Sequence, residues 1–519
     1  MIDQSCDRAR RSPEEESMVQ KPHRLLFVCL VIPVLLAAST AAGQGAIEGT
    51  VTFWGDPGGG TEIEISAVTV PWSDPVASTV VGLNDAFSFA VPDGTYYVQA
   101  YMDRDSGFGD PEPEDVVVLW DPTGDGNWDT VTVSGAPVTG IDIDLGFVYV
   151  DVDAGGADNG SSWTDAFTAL QNGIDLAVSG IEVWVAEGTY VPGTSRGDSF
   201  VPKPGVRVCG GFSGVETMRT ERDWNVHPTI LSGEIGSPST TGDNSYHVVN
   251  AATGSPTAIL DGVTITAGRA DGTSPHDQGG GVQARGGGVT LANAHVVANY
   301  ASSFGGGAFA LFGGTIKAYN TLFANNTAAF FEGGGYYADI GSAHPQTLVN
   351  CVFAGNYAWR GGGILLTGAG AAPVMVNLSL SNNTAGGEGG GLHTNSNQAI
   401  DFANSIFWQN TSNSGVGHQI SAFGGTVTPT VNYGIVQGGW GAGSHILDAD
   451  PSFADSDLRL NLDSPAIDAG DNDAVPIDLH DADGNHWTDD AIKRDRDFRQ
   501  RFRNLPYAPN TGNSAPDEW

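Results

Sequence analysis

Positive charge is scarce in this chain: 22 Lys and Arg stand against 60 Asp and Glu, for a formal net charge of −38. A surface this acidic repels phosphate backbones and anionic headgroups, which disfavours nucleic acid and anionic lipid as partners. Charged residues of both signs make up only 16% of the 519 residues. Cysteine is rarer still, with Cys6, Cys29, Cys209 and Cys351 alone. No pair has CxxC spacing, which removes a cysteine-based metal site; Cys209 and Cys351 read either as buried strand thiols or as one long-range bridge. Long apolar runs are nearly absent. The one candidate, Leu25 to Ala38, is shorter than the ~20 residues that span a bilayer. Lys21, His23 and Arg24 precede it and small residues from Ser39 to Gly45 follow, the layout of a signal peptide, with an uncleaved anchor as the rival reading. Met18 is an alternative start. Val28 before Cys29 does not make a lipobox. The histidines His227, His247, His295, His344, His393 and His418 are scattered, and no HExxH, nucleophile elbow, P-loop or dinucleotide fingerprint occurs.

What the chain does have is glycine, 73 residues, with 40% apolar residues, enough to build a core rather than a disordered chain. Residues 46–147 alternate apolar and polar side chains in short runs, as in Ile47 to Phe53, Phe87 to Val91 and Tyr96 to Tyr101, with turn residues between. That pattern predicts a β-sandwich of about seven strands. On Gly49-Thr50-Val51, Pro75-Val76-Ala77-Ser78 and Pro92-Asp93-Gly94-Thr95-Tyr96-Tyr97-Val98, the region resembles the carboxypeptidase-regulatory-like (transthyretin-like) sandwiches of exported bacterial proteins. Two acidic clusters follow, Asp103, Asp105, Asp110 and Glu112, then Asp125, Asn127 and Asp129. Clustered oxygen donors on glycine-rich turns suit calcium, but neither cluster completes a twelve-residue loop with a terminal Glu, which favours solvated acidic turns.

A cap comes next. Ser161 or Ser162 offers an N-cap before Trp163, Ala166, Phe167, Leu170, Ile174 and Ala177, apolar at helical spacing. An amphipathic helix there covers the open edge that a stack of strands would expose. Looser strands at 182–185, 206–209, 229–232 and 247–250 read as irregular first coils.

From residue 258 the chain is periodic. Glycine triplets begin at Gly279, Gly305, Gly333, Gly361 and Gly389, at intervals of 26, 28, 28 and 28 residues. A second marker keeps step: Asn293, Asn320, Asn350, Asn377 and Asn404 are each followed six residues later by Asn299, Asn326, Asn356, Asn383 and Asn410. A unit this short cannot bury a face alone, so the period predicts a right-handed parallel β-helix of about nine coils of ~28 residues, the last near Val431 to Val436. Stacking at about 4.8 Å puts equivalent residues over one another. Asparagines should form a ladder and accept left-handed turns; glycines should supply the corners.

Phe323-Ala324-Asn325-Asn326 and Phe353-Ala354-Gly355-Asn356, with the glycine motifs, resemble the polymorphic outer-membrane-protein repeats. Asn404 to Asn410, Asp450-Pro451-Ser452-Phe453 and Ser464 to Gly470 resemble the bacterial choice-of-anchor Q domain proteins. The likeness spans about residues 148–485. It implies a pectin lyase-like β-helix and a secreted or cell-surface location. The Asp-Ile-Gly-Ala-type ending of that family is absent, and no anchor or barrel segment is recognised in residues 486–519.

The register allows a search for chemistry. Gln278, Phe304, Glu332, Arg360 and Glu388 precede the triplets, so Glu332, Arg360 and Glu388 should form a column. The two carboxylates, two coils apart, lie roughly 9–10 Å from each other at the backbone, near the upper end for an inverting glycosidase pair. The intervening arginine favours ionisation of both, which suits an electrostatic ladder better than an acid and a base. Asp339 and Asp401 fall in other columns. Between residues 251 and 440 the only cationic side chains are Arg269, Arg285, Lys317 and Arg360, a sparseness that disfavours a uronate lyase site. Two residues past each triplet's end stand Gln283, Phe309, Tyr337, Leu365 and His393. Alternation turns Val282, Ala308, Tyr336, Ile364 and Leu392 inward and this set outward, making Phe309, Tyr337 and His393 the candidate ligand-binding stripe, unless a loop covers it.

The chain therefore reads as a leader (1–45), a β-sandwich (46–147), a capping strand and helix (148–180), a parallel β-helix (181–440) and a C-terminal cap and tail (441–519). The expected protein is secreted or at the cell surface, monomeric, without a membrane span after signal cleavage. Its expected role is non-catalytic adhesion, scaffolding or binding of a polysaccharide or cell-surface glycan, with no cofactor unless calcium. The alternative is a polysaccharide lyase or glycoside hydrolase, with Glu332 and Glu388 as its carboxylates.

Overall fold

The structure, a computed structural model, describes residues 44–476 apart from 56–61, 71–74, 103–115, 120–128, 239, 252–257, 342–344, 425 and 468. Its body is the parallel β-helix that the period requires, a solenoid of about nine turns. Strands following the glycine triplets pair in register, Val282 with Ala308, then Tyr336, Ile364, Leu392 and Ile420. Strands preceding the triplets form a second parallel stack: Tyr300, Thr327, Tyr357, Thr384 and Thr411 lie over one another. A third sheet folds at the first asparagine of each coil, as between Gly288–Ala292 and His295–Val297.

The glycine corners arise from two demands. The first glycine of each triplet has φ between 61° and 72°, a left-handed conformation. The last lies against the neighbouring coil: a Cβ on Gly335 would come within 2.8 Å of the Gly363 carbonyl oxygen.

The two asparagine registers do different work. Asn293, Asn320, Asn350, Asn377 and Asn404 are themselves left-handed, φ 49–58°. The Nδ2 of the first four donates to the coil before, as Asn350 does to Asn320 Oδ1 at 2.8 Å, while that of Asn404 donates to the Asp471 carbonyl. The second register is fully interior, with Asn326, Asn356 and Asn383 at 0% exposure. There the left-handed residue comes one position earlier (Ala298, Asn325, Gly355, Asn382, Gln409). These amides donate to the coil after: Asn326 to Asn356 Oδ1 at 3.0 Å, Asn356 to Asn383 at 2.9 Å, Asn383 to Asn410 at 2.9 Å. Each Oδ1 also accepts a backbone N–H from the preceding coil, as Asn356 does from Asn326. The interior between is aliphatic and aromatic, with Phe323 and Phe353 stacked 4.8 Å apart at 3°.

The N-terminal strands join this body without a break in hydrogen bonding. Gln44–Trp54 pairs antiparallel with Ala86–Pro92 and parallel with Ile143–Val150. Ile143–Val150, which runs through residue 147, pairs parallel with Glu182–Ala186 of the first coil. Phe147, Trp184 and Phe212 bury one aromatic pile across the junction, with centroids 4.1 and 4.7 Å apart. The capping helix is shorter than its pattern suggests, Leu170–Leu176. Ser162 accepts from the Asp165 N–H, capping a turn rather than the helix. Leu170 and Ile174 still close the core against Val148, Val150 and Val183. Cys209 and Cys351 are buried free thiols.

The tail from residue 448 lies along the outer asparagine face. Asp448 accepts from Gly438 N–H, and Asp471 exchanges two backbone hydrogen bonds with the Asn404 amide, at 2.7 and 2.8 Å. Val475 packs beside Tyr319, Val349 and Val374.

Candidate functional site

On the strands before the triplets, coil length varies where the alanine column does not. Ala328, Ala358 and Ala385 are in register and fully buried. Between that column and the residue before the triplet lie Ala329-Phe330-Phe331 in one coil, Trp359 alone in the next, and Gly386-Gly387 in the third. The extra residues leave the sheet as a bulge between Ala328 and Glu332. A bulge re-aims side chains, and here Phe330 and Phe331 are 69% and 50% exposed. Trp359 is 49% exposed and Tyr357 36%. Large aromatic rings side by side on a surface signal a contact site.

The charged column adjoins these rings, because Glu332, Arg360 and Glu388 follow Phe331, Trp359 and Gly387. The expected stacking is present: Gly333 N–H donates to the Arg360 carbonyl and Gly361 N–H to that of Glu388. Arg360 Nη1 lies 3.2 Å from Glu332 Oε1. Glu388 instead accepts from Ser421 Oγ at 3.2 Å. The column is thus asymmetric, one carboxylate ion-paired and one held by a hydroxyl. Asp339 accepts from Gly341 N–H and Asp401 from Thr430 and Asn432, both in other columns.

The stripe expected at Phe309, Tyr337 and His393 points away from the interior but is not exposed. Phe309 is 1% accessible, Tyr337 9% and His393 1%. Phe309, Tyr337 and Leu365 form a small core of their own, separate from the one holding Ala308, Tyr336 and Ile364, and His393 lies next in register beyond Leu365. The roof explains the correction. Phe304 packs 6.4 Å from Phe309 and 5.1 Å from Tyr337, and Phe331 stacks on Phe304 at 5.2 Å. Burial pushes the Tyr337 phenol up. Burial lowers His393 to about 4, Arg360 adds to that and Glu388 opposes it, so the ring is neutral at pH 7. Its Nδ1 has no hydrogen-bond partner. The buried stripe is the foundation, and Phe331 is the ring that reaches solvent. The residues missed in the sequence, Phe330, Phe331, Tyr357 and Trp359, carried a signal: counted from each interior asparagine, the stretch to the next triplet changes length at these rings.

Of the proposed calcium ligands, Asp103, Asp105, Asp110, Glu112, Asp125 and Asn127 lie outside the described residues. Asp129 is described and half-buried. Among the described residues no group of three or more His, Cys, Asp and Glu is placed to hold a metal, and no helix is long and apolar enough to cross a membrane.

No family model matches the chain, and no curated protein does. Among solved structures, the crystal structure of pectate lyase Pel9A aligns over 62% of this chain and 91% of its own, with 13% identity and a TM-score of 0.39.

Proposed function

We propose that the protein is an exported, non-catalytic glycan-binding rod, with the exposed aromatic cluster on the strands before the glycine triplets as its contact surface. The observation that carries this is the adjacency of Phe330, Phe331, Tyr357 and Trp359 to the Glu332–Arg360–Glu388 column. A sugar ring has an apolar C–H face and a rim of hydroxyls. Aromatic rings complement the first, and charged side chains make strong hydrogen bonds to the second. Both occur here in neighbouring columns of a rigid sheet. The lack of a catalytic role is supported by the same column: Glu332 is paired with arginine, Glu388 is bonded to a hydroxyl, and an inverting mechanism needs one carboxyl protonated.

The test is to incubate the purified protein with a panel of polysaccharides. Retention should be measured by co-sedimentation, and reducing ends and 4,5-unsaturated products by absorbance. The expected result is retention without product. Product formation lost in Glu332→Gln or Glu388→Gln would make the protein a hydrolase or lyase instead.

A further inference from the structure

Resting on that reading, the geometry points to a specific ligand class and seat: a neutral glycan laid along the solenoid axis, with one ring stacked on Trp359 and the adjoining one on Phe331. Trp359 has a built floor. A Cβ on Gly386 would come within 2.8 Å of the indole Cε3 and 3.2 Å of Cζ3, and one on Gly387 within 3.3 Å of Nε1 and 3.4 Å of Cε2. The indole therefore rests on the Gly386-Gly387 backbone, where no side chain fits. At 49% exposure it presents its other face to solvent. The Tyr357 hydroxyl lies over the same glycine, 3.2 Å from where a Cβ would stand.

Phe331 has a floor of a different kind. It stacks on Phe304 at 24°, and Phe304 rests 5.1 Å from Tyr337, so an aromatic pile rooted in the buried stripe ends in one half-open ring. Both rings are held before any ligand arrives, so little ordering cost remains. Because Glu332 pairs with Arg360 in register, Phe331 and Trp359 occupy successive coils, about 4.8 Å apart at the backbone. The two rings lean apart, Phe331 toward Phe304 of the coil before and Trp359 toward Gly386 of the coil after, so a glycan laid along the axis spans both platforms.

The rim selects for neutrality. It offers two carboxylates and one guanidinium, and that guanidinium already bonds Glu332. The chain carries a net −38. Uronate carboxylates would meet repulsion from Glu388 and from the surface as a whole, while neutral hydroxyls can donate to both glutamates. A second copy of the chain is the competing occupant, and the like charge of two such surfaces opposes it.

The experiment is affinity measurement of the whole protein against neutral polysaccharides (β-glucan, xylan, mannan, galactan) and uronates (polygalacturonate, alginate), with sedimentation of the free protein. A neutral polymer should bind, and Trp359→Ala should weaken it about tenfold or more. Trp359→Tyr should restore part of the loss. Gly386→Ala should weaken binding similarly, by lifting the indole off its floor, with the melting temperature little changed, since Gly386 is not left-handed. Phe312→Ala, which removes an exposed ring elsewhere, should have no effect. Neutral-glycan binding that survives Trp359→Ala and Gly386→Ala overturns the seat but not glycan binding. Preference for uronates overturns the ligand class. A dimer dispersed by Trp359→Ala assigns the patch to self-association, and failure to bind any glycan overturns both this inference and the reading beneath it.

Discussion

The early coils and the later ones solve the same problem with different chemistry. Both must satisfy polar groups at the turn where the third sheet bends. From Asn293 onward the turn is held by amides in two ladders, neutral and repeated coil after coil. Before Asn293 it is held by charges. Asp261, 0% exposed, takes Arg207 at 2.9 Å and Arg222 at 2.8 Å. Glu182 takes Arg219 at 3.1 Å and the Trp184 indole N–H at 2.8 Å. The two systems meet at one bond, from Asn293 Nδ2 to Asp261 Oδ1 at 2.9 Å. The amide ladder is made of identical parts and so tolerates repetition. The ionic cluster is made once, from residues scattered over 80 positions, and anchors the irregular end on which the ladder is built.

The largest effect should come from breaking the anchor. Asp261→Ala leaves Arg222, whose side chain is 7% exposed, and Arg207 without their shared carboxylate. Stranding buried charge costs about 3–5 kcal/mol, to be read as a lower urea midpoint. The anchor also has a pH signature. Arg222 and Arg207, with the Asn293 amide, outweigh the cost of burial and hold Asp261 near 2. A carboxyl lowered on folding contributes stability above its unfolded value near 4 and loses it as pH falls toward 2. That contribution is about 2 kcal/mol, and urea titrations of Asp261→Asn over that range should lack it.

Breaking the interior ladder should cost nearly as much without that signature. Asn356→Ala leaves the Asn326 N–H, the Phe323 carbonyl and the Asn383 Oδ1 short of a partner, all buried. At about 1–3 kcal/mol per stranded group, partly relaxed, a loss on the order of 3 kcal/mol is expected. It should be the same at pH 3 and pH 7. A loss that varied with pH would mean that the ladder is coupled to a titrating group and is not neutral.

A third effect lies where the two regions adjoin. His247, 1% exposed, donates from Nδ1 to the Gly279 carbonyl at 2.9 Å, so its Nε2 accepts from His276 at 3.1 Å. Burial lowers it to about 4; His276 and Arg285 add to this, while the Gly279 bond and Asp277 oppose it. The unfolded chain protonates this group first, so stability falls as pH drops from about 6.5 to about 4, by up to about 3 kcal/mol. His393, lowered in the same way, adds its own share. His247→Gln can donate to the Gly279 carbonyl and accept from His276. It should therefore flatten the decline in melting temperature between pH 7.5 and pH 5, and an unchanged decline would place the effect on other groups.

The same contrast explains what was readable in advance. Repetition is visible in a sequence: the triplets and both asparagine registers located the coils, their order and the Glu332–Arg360–Glu388 column. The ionic cluster was not visible, because Glu182, Arg207, Arg219, Arg222 and Asp261 share no spacing and meet only through the fold. The direction of Phe309 and Tyr337 followed from alternation, but their burial did not. It depends on Phe304 and Phe331, residues of the segments before the triplets, where coil length changes by a residue at a time. A ring's exposure is set by what lies over it, and periodicity speaks only of what lies beside it in the stack.

The smallest effect separates the two asparagine ladders from each other. In the outer ladder Asn350 both stacks and adopts φ 57°. In the interior ladder those duties are divided between Asn356 and Gly355, φ 66°. Asn350→Gly keeps the left-handed turn and loses the side-chain bonds, among them those to Asn320 and from Asn377. Asn350→Ala loses the same bonds and adds the left-handed strain, about 1 kcal/mol. The two variants should therefore differ by about that amount, with alanine the less stable. At position 356, where the backbone is not left-handed, glycine should have no such advantage over alanine. Equal stability of Asn350→Gly and Asn350→Ala would show that stacking, and not the turn, is why asparagine stands there.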